Sequence, residues 1–142
     1  MSTRAYVGYL TKSCSFKYIY SHSDNYPEGT GQVLIKHYDL KKTMELVKLG
    51  AALVIEKNLD PMGNSGHNFE NRQAGVCVFY HRDRGEPKVD TKASTMKVAD
   101  LEMLLEEVDY VYIIDQKGDW YVTNEEHQLV LLDLYQKMDI KK

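Results

Sequence analysis

The sequence predicts an α+β fold, a single domain in which a mostly antiparallel sheet of about five strands is covered by about four helices. Three observations carry this expectation. The chain has 142 residues, the size of one domain able to bury about two-thirds of its unfolded surface. Several short segments alternate apolar and polar residues, while others repeat apolar residues at helical spacing. The segments follow one another as β-β-α-α-β-α-β-β-α, the order of a sheet with helices packed on it.

Ala5 to Leu10 reads as the first strand, rich in aromatic and β-branched residues. A polar connection, Thr11 to Ser15, is of hairpin length. The second strand, Phe16 to His22, places Phe16, Tyr18, Tyr20 and His22 on one face. A turn through Ser23 to Pro27 leads into a helix, Gln32 to Tyr38, lined by Thr30, Leu34 and Tyr38. Asp24 or Asn25 is expected to cap that helix, with Pro27 tolerated in its first turn. Asp39 should cap a second helix, Leu40 to Leu49, with Leu40, Met44 and Val47 as its apolar stripe and Gly50 as its stop.

Ala51 to Leu59 fits a short helix or a strand equally. Asp60 to Ala74 reads as a loop. Gly75 to Arg82 is apolar on both faces, which predicts a central strand. Val98, Leu101, Leu104, Leu105 and Val108 give the clearest helical stripe. Tyr110 to Asp115 and Trp120 to Val122 are two strands joined at Gly118. Thr123 and Glu126 form a capping-box pair that predicts a final helix carrying Val130, Leu131, Leu134 and Met138.

Composition narrows the function classes. The chain carries a net charge of -3, with 11 tyrosines and 2 cysteines. The cysteines, Cys14 and Cys77, have no metal-binding spacing, so neither a metal nor a cofactor is expected. Cys77 reads as a small core residue. No apolar run approaches the ~20 residues of a membrane span, and a cytoplasmic protein is expected. Charge is uneven: the chain from Val98 onward carries -7, and the part before it +4. That is no nucleic-acid footprint, so direct nucleic-acid binding is not expected.

Two polar stretches hold the candidate chemistry. His22, Asp24 and Tyr26 occupy the corner after the second strand. His81, Arg82, Asp83, Arg84 and Glu86 end the later strand. If both strand ends share one rim, they form a dense constellation in which Asp24 orients His22 and the arginines hold an anion. The simpler readings are a helix cap at Asp24 and an internal salt-bridge network among Arg82, Asp83, Arg84 and Glu86. Gly29-Thr30-Gly31 resembles a phosphate loop only loosely, because Leu34 stands where a third glycine would fall. A third cluster, Asp100, Glu102, Glu106, Glu107 and Asp109, crowds one helix and its exit. It is either a solvated face or a surface for a basic partner.

Motifs spread along the chain point to a family. Met1-Ser2-Thr3-Arg4 opens it. Ile19-Tyr20-x-His22-x-Asp24-x-Tyr26-Pro27 follows, with Gly31 and Leu34 behind. Tyr80-His81-Arg82-Asp83-Arg84-Gly85-Glu86 is the most specific string, and Gly118-Asp119-Trp120-Tyr121 comes late. Together they resemble a family of small, largely uncharacterised bacteriophage and prophage proteins, over most of the chain to about Val122. Ser23 and Asn25 stand where that pattern has Trp and Gly. The resemblance implies a phage setting and supplies no activity.

The leading expectation is a phage accessory protein that binds and inhibits a host component, such as a defence system, in the manner of an anti-CRISPR. The acidic cluster would meet a basic host surface, such as one that holds nucleic acid. The alternatives are a small hydrolase using His22, Asp24, His81 and Arg84, or a nucleotide-sequestering protein with Arg82 or Arg84 on a phosphate.

Overall fold

β1 (Ala5–Leu10) and β2 (Ser15–Ser21) form the antiparallel hairpin at the centre of one sheet. The computed structural model describes residues 3–61, 67–123 and 128–132. Gly8 permits the pairing: a Cβ there would lie 1.9 Å from the carbonyl oxygen of Lys17 on β2. Only glycine lets the two backbones approach this closely.

β3 (Ala52–Val54), β4 (Val78–Phe79), β5 (Ser94–Lys97), β6 (Tyr110–Ile114), β7 (Trp120–Thr123) and β8 (Leu129–Leu131) complete the sheet. Its order is β4-β3-β2-β1-β6-β7-β8, and β5 pairs with the first half of β2. Five of the seven strand pairings are antiparallel, while β1–β6 and β2–β3 are parallel. The α+β class is as expected. The eight strands among the described residues exceed the predicted five or so, because β3, β5 and β8 are too short to show a period in sequence.

Each face of the sheet has its own cover. On one, Ala5, Val7, Ile19, Ala52, Phe79, Tyr112 and Val122 pack under α1 (Gln32–His37) and α2 (Leu40–Leu49). Thr30, Leu34 and Tyr38 are buried there as predicted. Asp39 caps α2 by accepting the Lys42 N–H at 2.8 Å. Gly50 ends it at φ 87°, where a Cβ would meet the Thr91 carbonyl oxygen at 2.5 Å. The buried stripe of α2 is Thr43, Leu46 and Val47, and Met44 is exposed. Val47 is buried and Leu40 packs partly buried against the same core, as expected; only Met44 departs from the expected stripe, and Thr43 and Leu46 fill the buried side in its place. A short α3 (Lys88–Thr91) precedes β5.

On the other face, Phe16, Tyr18, Val111 and Ile113 pack against Val98–Glu106. That segment is a 3₁₀ helix, not the α-helix its stripe predicted. In a 3₁₀ helix, residues three apart eclipse. Leu101 and Leu104 accordingly share the buried ridge, while Leu105 is only partly buried.

Two further expectations are corrected. Of Gly75 to Arg82, only Val78–Phe79 is a strand, and β4 lies at the sheet's edge rather than its centre. Val76 to Phe79 are still fully buried, so apolarity on both faces here comes from covering loops and turns. Leu129–Leu131 forms β8, with Val130 paired to Val122, where a helix was expected. Thr123 is the last residue of β7, and its hydroxyl accepts the Val111 N–H at 3.1 Å rather than capping a helix. Glu126, Leu134 and Met138 lie outside the described residues.

Candidate functional site

The corner after β2 is built around Asn25, not Asp24. Asn25 is fully buried. Its side-chain amide donates to the Thr3 and Ser21 carbonyls at 2.9 and 3.0 Å, and its Oδ1 accepts the Thr30 hydroxyl at 2.9 Å. Its own carbonyl accepts the Tyr112 hydroxyl at 2.6 Å. These bonds satisfy a buried amide that would otherwise destabilise the fold. Asp24 has a left-handed backbone, φ 59°, and its carbonyl accepts the Thr30 N–H at 3.0 Å. Neither Asp24 nor Asn25 caps α1 through its side chain: Pro27–Gly31 runs into it as a single π-helical turn without a side-chain cap. His22 is half-buried, with Nδ1 2.7 Å from the Tyr20 hydroxyl. Tyr26 is exposed.

The string after β4 is mostly an internal network. Arg82 donates to both carboxylate oxygens of Asp83, at 3.0 and 3.2 Å, and to the Leu59 and Cys77 carbonyls at 2.6 and 3.0 Å. It also reaches Asp60 at 3.3 Å. Asp83 accepts the Phe79 N–H at 2.7 Å. His67, whose side chain is wholly buried, lies 3.6 Å from Asp83. The Gln73 N–H donates to its Nδ1 at 2.8 Å, so the ring proton sits on Nε2, which faces the Cys77 carbonyl at 3.2 Å. Arg82, Asp83 and His67 thus fasten the loop before β4 to the turn after it. His81 is exposed, and its Nδ1 meets the Glu86 carbonyl at 2.7 Å. Arg84 is exposed and lies 3.6 Å from Glu86.

The two polar groups do not share one rim. Ser21, Ala52 and Phe79 form one row across β2, β3 and β4. β2 and β3 are parallel and β4 is antiparallel to β3, so His22 and the Tyr80–Glu86 turn leave that row in opposite directions. The constellation imagined from sequence is corrected on this point.

Loop residues absent from that constellation lie between the groups. Arg72 lines a groove of about 450 Å³ together with Ser23, Asp24, Val54, Glu56 and Gly75. Burial pushes the Glu56 carboxyl above its ordinary range, and the nearby Asp24 charge adds to this. Arg72 also stands over the Phe69 ring, 5.7 Å from its centre, and Arg84 stands 4.9 Å from the same centre. The Phe69 and Tyr80 rings are 5.5 Å apart. Nothing in the sequence singled out Phe69, Arg72 or Glu56, whose neighbours are set by tertiary contacts alone.

The acidic cluster is exposed throughout: Asp100, Glu102, Glu106, Glu107 and Asp109 all face solvent. Two have structural ties. Glu107 accepts the Tyr6 hydroxyl at 2.7 Å, and Asp109 accepts the Arg4 N–H at 2.9 Å. The 3₁₀ geometry places Asp100, Met103 and Glu106 on one ridge. Met103, 67% exposed, is therefore an apolar knob between two carboxylates.

Cys77 is sealed in the core, its sulfur 3.2 Å from the Tyr38 hydroxyl, and burial raises its thiol pKa. No group of three or more His, Cys, Asp or Glu among the described residues is placed to hold a metal ion. No described helix is long and apolar enough to cross a membrane. Compared with protein-family models, with curated proteins and with solved structures, the chain matches none.

Proposed function

We propose that this chain is a phage accessory protein that binds a host component through its acidic 3₁₀ face, in the manner of an anti-defence inhibitor such as an anti-CRISPR. The observation that carries the reading is the Asp100–Met103–Glu106 ridge, flanked by Glu102. Leu101 and Leu104 anchor the segment from beneath, which leaves the ridge free for a partner. An exposed, adaptable Met at the centre of a polar patch suits a binding surface. The phage setting rests on the sequence resemblance, and a host partner with a basic or nucleic-acid-binding surface is the chemistry the face complements.

A hydrolase at a shared His22/His81 rim receives no support, because the two histidines leave the sheet in opposite directions. The test is site-specific photo-cross-linking in host lysate. A cross-linker at Met103 should capture a defined basic protein, and one at the equally exposed Val89 should not. No adduct at Met103, or the same adducts at both positions, would remove the proposal.

A further inference from the structure

We propose that Arg72 and Arg84, gathered on the Phe69 ring beside Tyr80, form a binding site for a phosphate-class oxyanion. Two guanidinium groups stand within cation–π reach of one ring. Their charges are poorly neutralised. Among the described residues, Arg72 uses only its Nε, on the Phe69 carbonyl at 3.1 Å, and has no carboxylate partner. Arg84 lies 3.6 Å from Glu86, too far for a hydrogen bond, and Glu86 Oε2 is buried without one.

Contrast Arg82, two residues before Arg84. Its donors are taken up by Asp83 and two backbone carbonyls. An arginine that serves only to pin a loop is saturated in that way. Arg72 and Arg84 keep their planar forks largely unused, and such forks match tetrahedral oxyanions.

Tyr80 adds a neutral donor. Burial, then the neighbouring Tyr20 and the Glu86 carboxylate, raise its hydroxyl pKa above the ordinary range, and the Arg84 and Arg72 charges only partly oppose this. Glu86 lies beside Arg84, and Asp24 and Glu56 line the same groove as Arg72.

Free phosphate and a nucleotide phosphate present the same chemistry, so the titration uses inorganic phosphate, AMP and adenosine. Backbone and arginine side-chain resonances of Arg72 and Arg84 should shift saturably with phosphate and with AMP, and not with adenosine. Tighter AMP binding would assign a nucleotide, and equal binding the bare anion. R72Q and R84Q should each weaken phosphate binding about tenfold or more. Phenylglyoxal labelling of the unaltered protein gives a second readout: phosphate should protect Arg72 and Arg84, and leave exposed Arg4 as reactive as before. Equal labelling with and without phosphate, shifts that never saturate, or wild-type affinity in the R72Q/R84Q double variant would overturn the proposal.

Discussion

Replacing Arg82 with Met should be far more costly than the same change at Arg84, although the two stand in one charged string. Arg82→Met leaves the Asp83 carboxylate, 3% exposed, without its counter-charge, and takes a donor from the Leu59 and Cys77 carbonyls. Breaking a buried pair from one side costs about 3–5 kcal/mol. The Arg82 side chain is 23% exposed, so water recovers part of this, and about 2–4 kcal/mol is expected. With a urea slope of about 2 kcal/mol/M, the unfolding midpoint should fall by about 1–2 M. Arg84→Met removes a 57%-exposed side chain at 3.6 Å from Glu86, which is worth at most about 0.5 kcal/mol. Urea titrations at pH 7 compare the two directly. Equal shifts, or a smaller shift for Arg82, would refute the reading of this string as a structural clamp with one free arm.

Three more outcomes are expected. Leu104→Ala should cost about 2–5 kcal/mol in a denaturant titration, and Leu105→Ala less, because only Leu104 is fully inside. Ellman's reagent should titrate one thiol, Cys14, in the native protein and two after unfolding, since Cys77 is buried with a raised thiol pKa. Glu56→Gln should stabilise the protein at pH 7. The folded state holds the Glu56 proton more tightly than the unfolded chain does, so ionising it costs stability as pH rises from the unfolded value through the raised one. Below about pH 4 both forms are protonated, and the difference between Glu56→Gln and wild type should vanish there.

Local signals in the sequence specify the structure where one principle decides them. Asp39 and Gly50 bound α2 because a cap and a left-handed stop have few alternatives. Thr30, Leu34 and Tyr38 line the buried side because one turn of helix sets their spacing. Elsewhere tertiary structure overrode the local pattern. Val98, Leu101 and Leu104 fit both an α and a 3₁₀ period, and packing on Phe16, Tyr18 and Val111 accompanies the tighter one. Ser94–Lys97 is mostly polar and exposed, with Met96 alone partly buried, so only its pairing with β2 reveals it as a strand. The candidate rim failed on strand direction, which no single segment encodes. Asn25 was legible as a turn residue and not as a buried hub, since its partners Thr3, Ser21 and Tyr112 come from three different segments.

The acidic ridge is tested most directly by association kinetics with the host protein captured at Met103. Asp100, Glu102 and Glu106 are changed together to Lys, leaving Glu107 on Tyr6 and Asp109 on Arg4 so that the fold keeps both ties. Wild-type association should slow as salt rises, and the triple variant should associate more slowly, with a salt-insensitive or inverted dependence. Association rates for the triple variant that match wild type across the whole salt series would contradict it.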